Sequence, residues 1–135
     1  MFEPETEYLS EQTGDILISA CQGVDPEDTT GASCLFCLRI ENNSAEKIQI
    51  LGKTLNITDD KGNNVSQSGL GFNGEMPELY PGEYFEFEDT AFVRSALAVL
   101  YGTCRILTES TNQVQDIKIP VLNLFSPQKH ASALN

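Results

Sequence analysis

Between Cys34 and Glu41 the chain alternates without a break: Cys34, Phe36, Leu38 and Ile40 share one parity, while Arg39 and Glu41 fall on the other. A period of two puts the apolar set on one face of a strand and the charged set on the opposite face, a pattern that a helix does not use. The alternation returns at 84–88, with Phe85 and Phe87 inward and Glu86 and Glu88 outward, and at 114–124, with Ile117 and Ile119 opposed to Asp116 and Lys118. Apolar runs at 16–21 and 96–107 fit buried strands; the second has helical propensity, but Gly102, Thr103 and its β-like flanks favour a strand. Ile48 and Ile50 are even-numbered whereas Leu55 and Ile57 are odd, so the inward parity slips around Gly52, as a β-bulge or bend there would produce. Pro120 places the last strand at a sheet edge.

The segments between these strands read as turns. Asn42-Asn43-Ser44 ends the clearest strand, Asp59-Asp60-Lys61-Gly62-Asn63-Asn64 is a strong reverse-turn sequence, and 23–31 is an acidic loop. Residues 1–13 are polar with no sustained period and are expected to form an N-terminal arm, leaving 14–135 as a single domain. About seven short strands with turn signals between them predict an all-β fold, an immunoglobulin-like or fibronectin type III-like antiparallel β-sandwich, with a barrel as the alternative. At 135 residues the chain is long enough to bury its own core.

Charge narrows the partners. Twenty acidic residues against eight basic ones give a net charge of −12, and the basic residues form no cluster. Such a surface repels phosphates at long range, so neither nucleic acid nor an anionic membrane is an expected partner, and basic proteins or cations fit better. Met1-Phe2-Glu3-Pro4-Glu5 is acidic with no apolar run behind it, and no stretch reaches the ~20 apolar residues of a membrane span; the expected compartment is the cytoplasm. The four cysteines, Cys21, Cys34, Cys37 and Cys104, are then expected as reduced thiols in the core.

The one motif-bearing stretch is Gly69-Leu70-Gly71-Phe72-Asn73-Gly74-Glu75, which continues to Pro77 and Pro81-Gly82-Glu83. Its G-x-G-x-x-G spacing is that of dinucleotide-binding loops, where glycines admit a pyrophosphate and a following helix supplies positive potential. Here Glu75, Pro77 and Pro81 prevent such a helix, and Glu75 adds a negative charge beside the anion. The expectation is a rigid, glycine-dependent crossover between sheets that displays Leu70, Phe72 and Asn73 to a partner.

Other chemistry is weaker. Cys34 and Cys37 have the spacing of a metal knuckle, but residues three apart on a strand point to opposite faces, so no zinc site is expected. Asp59, Asp60, Asn63 and Asn64 carry hard oxygens, which a solvated turn explains without a metal. Glu86 and Glu88 lie on an outward face, and His130, the sole histidine, lies outside the strand pattern, so no catalytic residue, cofactor or metal ligand is expected.

Taken in order, Ile40-Glu41-Asn42, Ile57-Thr58-Asp59 with Gly62, the glycine loop through Pro77 and Pro81-Gly82-Glu83, then Phe85, Gly102, Ile119-Pro120, Leu122, Leu124 and Leu134-Asn135 resemble the ApaG domain family, also called CorD. The resemblance spans roughly 16–135. It implies a fibronectin type III-like sandwich without known enzymatic activity, a link to cobalt and magnesium resistance or to diadenosine tetraphosphate hydrolysis, and in eukaryotic relatives a binding module. Where that family usually carries Arg-His-Trp in its third strand, this chain has Lys53-Thr54-Leu55. The expected function is therefore a non-enzymatic protein-binding module, with a small-ligand or divalent-cation sensor as the alternative. Exposed sheet edges leave room for a homodimer.

Overall fold

The computed structural model describes residues 8–23, 33–70, 72, 74–93 and 95–125, with the backbone alone at 33, 69, 70 and 92. Nine strands are formed among them: β1 (Leu9–Thr13), β2 (Ile16–Gly23), β3 (Ser33–Asn42), β4 (Ile48–Asp59), β5 (Asn64–Leu70), β6 (Glu78–Leu79), β7 (Tyr84–Phe92), β8 (Leu97–Thr108) and β9 (Gln113–Phe125). One sheet has the order β1-β2-β3-β7 and the other β5-β4-β8-β9, with β6 also on β4, and every pairing is antiparallel. The two sheets pack face to face as the expected sandwich. Most of the acidic loop at 23–31, together with His130 and Leu134-Asn135, lies outside the described residues.

The core is what alternation selects. Ile16, Ile18 and Ala20 of β2 and Cys34, Phe36, Leu38 and Ile40 of β3 face Leu55 and Ile57 of β4, Leu100, Cys104 and Ile106 of β8, and Ile117, Ile119, Leu122 and Leu124 of β9. Burial of these aliphatic and aromatic side chains is the main force that holds two sheets about 10 Å apart.

Two irregularities re-aim the strands. In β4, Ile50 faces Ile106 and Gly52 faces Arg105 of β8, which makes Leu51 the extra residue of a β-bulge. This is the parity slip legible around Gly52. In the β8–β9 ladder, Leu100 faces Leu122 while Gly102 faces Ile119, so the extra residue falls on β9, where Pro120 has no N–H to give. The strand runs from Gln113 to Phe125, close to the expected 114–124, and lies at the edge of its sheet as Pro120 led us to expect. Gly102 itself sits at φ +154°, and a Cβ there would lie 1.9 Å from the Thr54 carbonyl oxygen. Only glycine lets β4 and β8 come this close.

Part of the stretch expected as an arm is strand: Leu9–Thr13 pairs with Ile16–Ala20 through a tight turn at Gly14, φ +59°. Its apolar periodicity is weak because an edge strand with exposed side chains needs little of it. At the other edge of this side, Lys118 of β9 reaches Glu11 of β1 at 3.8 Å.

Candidate functional site

β5 and β6 lie along the same edge of β4, the first ending with Leu70 beside Gly52 and the second beginning with Glu78 beside Gln49. Ile50 N–H donates to the Pro77 carbonyl at 2.9 Å, so the chain leaves the edge of β4 and returns to it across the single bulged residue Leu51. The glycine loop is this excursion. The crossover between sheets expected of the stretch 69–83 is made at its end, by 80–83 between β6 and β7.

The loop closes on itself. Phe72 N–H donates to Glu75 O at 2.8 Å and Glu75 N–H to Phe72 O at 3.1 Å, a bridge whose turn needs Gly74 in the left-handed region, φ +86°. Those two N–H groups are spent on each other's carbonyls and do not converge on an outside anion. Phe72 is not displayed, as the sequence led us to expect, but is 1% exposed. Its ring packs on Phe87 with centroids 4.7 Å apart and on Phe85 at 5.7 Å, and Phe36 joins Phe87 edge-on at 6.5 Å. The loop thus plugs the side of the sandwich between β4 and β7, its Phe72 ring joining three phenylalanines of the β3–β7 sheet. Gly71 and Asn73 lie outside the described residues, as does the side chain of Leu70.

Lys53 borders this plug. Two residues past the bulged Leu51, its Nζ stands 4.4 Å from the Phe87 centroid and 4.9 Å from that of Phe72, and burial pulls its amine below the usual lysine range, against partial support from Asp89. Opposite it in the ladder, burial pushes the Cys104 thiol up to about 12, with the Asp116 carboxylate adding to the shift and Lys53 opposing it. An amine held over two rings is a cation–π contact. Sequence reasoning missed it because Lys53, though it shares the inward parity of Leu55 and Ile57, meets rings that come from distant segments.

Asn42 holds the other end of the site. Fully buried, its side-chain amide donates to Glu46 O at 2.8 Å and Leu79 O at 2.9 Å, and its oxygen accepts from Ser44 N–H at 3.0 Å and Ser44 Oγ at 2.6 Å. Its backbone also takes part: Asn42 N–H donates to Glu83 O and Gly82 N–H to Asn42 O, at 2.9 and 2.7 Å. Two motifs far apart in sequence, Glu41-Asn42 and Pro81-Gly82-Glu83, are therefore one clamp around β6. Lys47 adds a half-buried brace, bridging Glu78 and Glu109 at 3.1 Å each, and the two carboxylates hold its ammonium above the usual lysine range.

The remaining candidates separate cleanly. Cys34 lies in the core while Cys37 lies on the opposite face, directly across from Cys21 and 3.9 Å from a Glu86 carboxylate oxygen. All four thiols are buried, and burial pushes that of Cys37 up to about 12. Asp59 spends its carboxylate on its own turn, accepting from Lys61 N–H, Asn63 N–H and Asn63 Nδ2 at 2.9, 2.9 and 3.0 Å, which holds its carboxyl below the usual range. Among the described residues no group of three or more His, Cys, Asp or Glu is placed to hold a metal ion, and no helix is long and apolar enough to cross a membrane. The bulge opens a groove of about 460 Å³ on the outer face of the second sheet, lined by Leu51, Thr54, Ser68, Thr103, Arg105 and Asp116. Its one arginine is paired with Asp116 at 2.9 Å.

The model of the ApaG domain matches residues 33–108, which run from β3 through β8 and include the loop, the clamp and the bulge. Protein ApaG of Beijerinckia indica subsp. indica is 31% identical over 119 residues, covering 85% of this chain and 91% of that protein. Protein ApaG of Methylocella silvestris is 30% identical with the same coverage. Among solved structures, the putative ApaA protein from Bordetella pertussis superposes with a TM-score of 0.69 at 22% identity, over 93% of this chain and 99% of that one. A further structural-genomics target reaches a TM-score of 0.75 at 20% identity, over 87% and 92%.

Proposed function

The chain belongs to the ApaG domain family, and on that premise we propose that it is a non-enzymatic protein-binding module that uses the segment 69–80 as its recognition surface. Membership and fold assign no activity by themselves, so the reading rests on the segment. The observation that carries it is a division of labour along these residues. Phe72 and Leu79 are buried anchors, at 1% and 4% exposure, while Glu75, Met76 and Tyr80 between and beside them stand in solvent, Met76 at 42% and Tyr80 at 57%. A loop fixed at both ends and bridged in the middle loses little conformational freedom on binding, and Met and Tyr are residues enriched at interface cores. Gln49 Nε2 donates to the Met76 carbonyl at 3.1 Å and steadies the exposed section. The acidic surface favours a partner with basic groups.

The test is affinity capture with the intact chain, against a Glu75→Lys, Met76→Asp double variant that leaves both anchors in place. A stoichiometric protein partner retained by the wild type and lost by the variant, at unchanged melting temperature, supports the reading. Titration calorimetry with Mg²⁺, Co²⁺ and a dinucleoside polyphosphate runs beside it. Micromolar binding of any of these overturns the reading as a full account.

A further inference from the structure

β5 is a sheet edge of an unusual kind. β7 carries Glu86, Glu88 and Asp89, β9 carries Asp116, Lys118 and Pro120, and β1 lies beside β9; charge, proline or a neighbour blunts each of these edges. Asn64–Leu70, by contrast, reads Asn-Val-Ser-Gln-Ser-Gly-Leu: seven residues with no charge and no proline. It pairs with β4 on one side only, and among the described residues no strand lies on the other. We infer that this edge pairs with the same edge of a second copy of this chain, joining two sheets into one about a two-fold axis at Gln67.

The register follows from the backbone. Asp59 N–H donates to Asn63 O, and hydrogen-bonded pairs alternate along an antiparallel ladder with no shift between β4 and β5. Val65, Gln67 and Gly69 therefore bond β4, and Asn64, Ser66, Ser68 and Leu70 point their N–H and C=O groups outward. Only pairing centred on Gln67 uses all four: Asn64 opposite Leu70 and Ser66 opposite Ser68, each counted in both directions, for about eight hydrogen bonds. In that register Val65, 55% exposed although it lies on the core-facing side of the strand, stands across from Gly69, which has no side chain to crowd it. Gln67 meets its own symmetry mate, an uncharged pair. An isologous contact of this kind closes at two copies.

Charge sets how the pairing responds to salt. Each copy carries −12, so the copies repel outside the contact, and salt screens this beyond a Debye length of ~8 Å at physiological strength. Self-pairing strengthens as salt rises, whereas addition of a basic foreign strand would weaken. Sedimentation equilibrium on the full chain from about 10 to about 300 µM, at about 0.05 and about 0.5 M NaCl, reads this directly. The weight-average mass is expected to climb from 14.8 kDa toward twice that value, and at lower protein concentration in the higher salt. Two variants localise the contact. Ser68→Pro removes an outward N–H while leaving the bonds to β4, and Gln67→Lys sets two ammonium groups against each other at the axis; both are expected to stay monomeric. In the wild type, amide exchange at Ser66 and Ser68 slows as concentration rises. A wild type monomeric throughout, variants that still dimerise, or association that falls with salt overturns the inference.

Discussion

Asn42→Asp changes one atom of the clamp and keeps its shape. The carboxylate oxygen that replaces Nδ2 lands 2.8 Å from Glu46 O and 2.9 Å from Leu79 O, so two donated bonds become lone-pair contacts, while the bonds accepted from Ser44 survive. Losing two hydrogen bonds costs about 1–1.5 kcal/mol each, and a buried anion facing two carbonyls adds to it. Protonation caps that addition. A carboxyl that ionises near ~3.9 in the unfolded chain takes up a proton at pH 7.5 for at most about 5 kcal/mol, and at pH 5.0 for about 1.5 kcal/mol. The sign is that of a carboxyl raised by folding: the penalty grows as pH rises above the unfolded value and fades as the native group is protonated. The loss is therefore expected at roughly 3–5 kcal/mol at pH 7.5 and at least about 1.5 kcal/mol less at pH 5.0. Urea unfolding of both proteins at both pH values isolates the effect, because every other titration cancels in the difference. A loss below about 1 kcal/mol at pH 7.5, or one that is the same at both pH values, would refute the clamp.

Gly102→Ala drives a methyl group to 1.9 Å from Thr54 O, so β4 and β8 must part; unfolding free energy is expected to fall by more than about 3 kcal/mol, read by the same urea series. Phe72→Ala empties the aromatic plug and is expected to cost about 3–5 kcal/mol, with amide protection lost first at 72–79 and kept in β2 and β3. The thiols of Cys37 and Cys104, both raised to about 12 by burial, stay protonated in the native chain while the unfolded chain ionises. Their stabilising effect is whole below about pH 8.5 and is lost above it, at up to about 1.4 kcal/mol per pH unit for each. Cys104→Ala is expected to flatten the decline of stability between pH 8.5 and 10.5; an unchanged slope would refute it.

Much of the sandwich was legible because alternation is local. The strands at β3, β7 and β9, the bulge behind the parity slip at Gly52, and the divergence of Cys34 and Cys37 all follow from counting residues by twos, whereas β8 was read from its apolar run and Gly102. The site was far less legible, since its key contacts join distant segments. Asn42 read as part of a turn cluster and of a family motif, neither of which gives its partner, and its bond to Leu79 O spans 37 positions. Phe72 read as displayed because nothing within the loop announces the hole between Phe85 and Phe87 that receives it. The available signal was that Glu41-Asn42 and Pro81-Gly82-Glu83 both carry the family resemblance; the backbone bonds between Asn42 and Gly82-Glu83 join them.

The bulge at Leu51 also bears on how the fold varies. The glycine loop departs at the Gly52–Leu70 pair and returns at the Ile50–Pro77 bond, two stations held by β4 itself and separated there by one residue. Residues inserted or removed between them change the length of the excursion without re-registering either sheet. β4 thus works as a docking port onto which loops of different length can seat while the same core is kept.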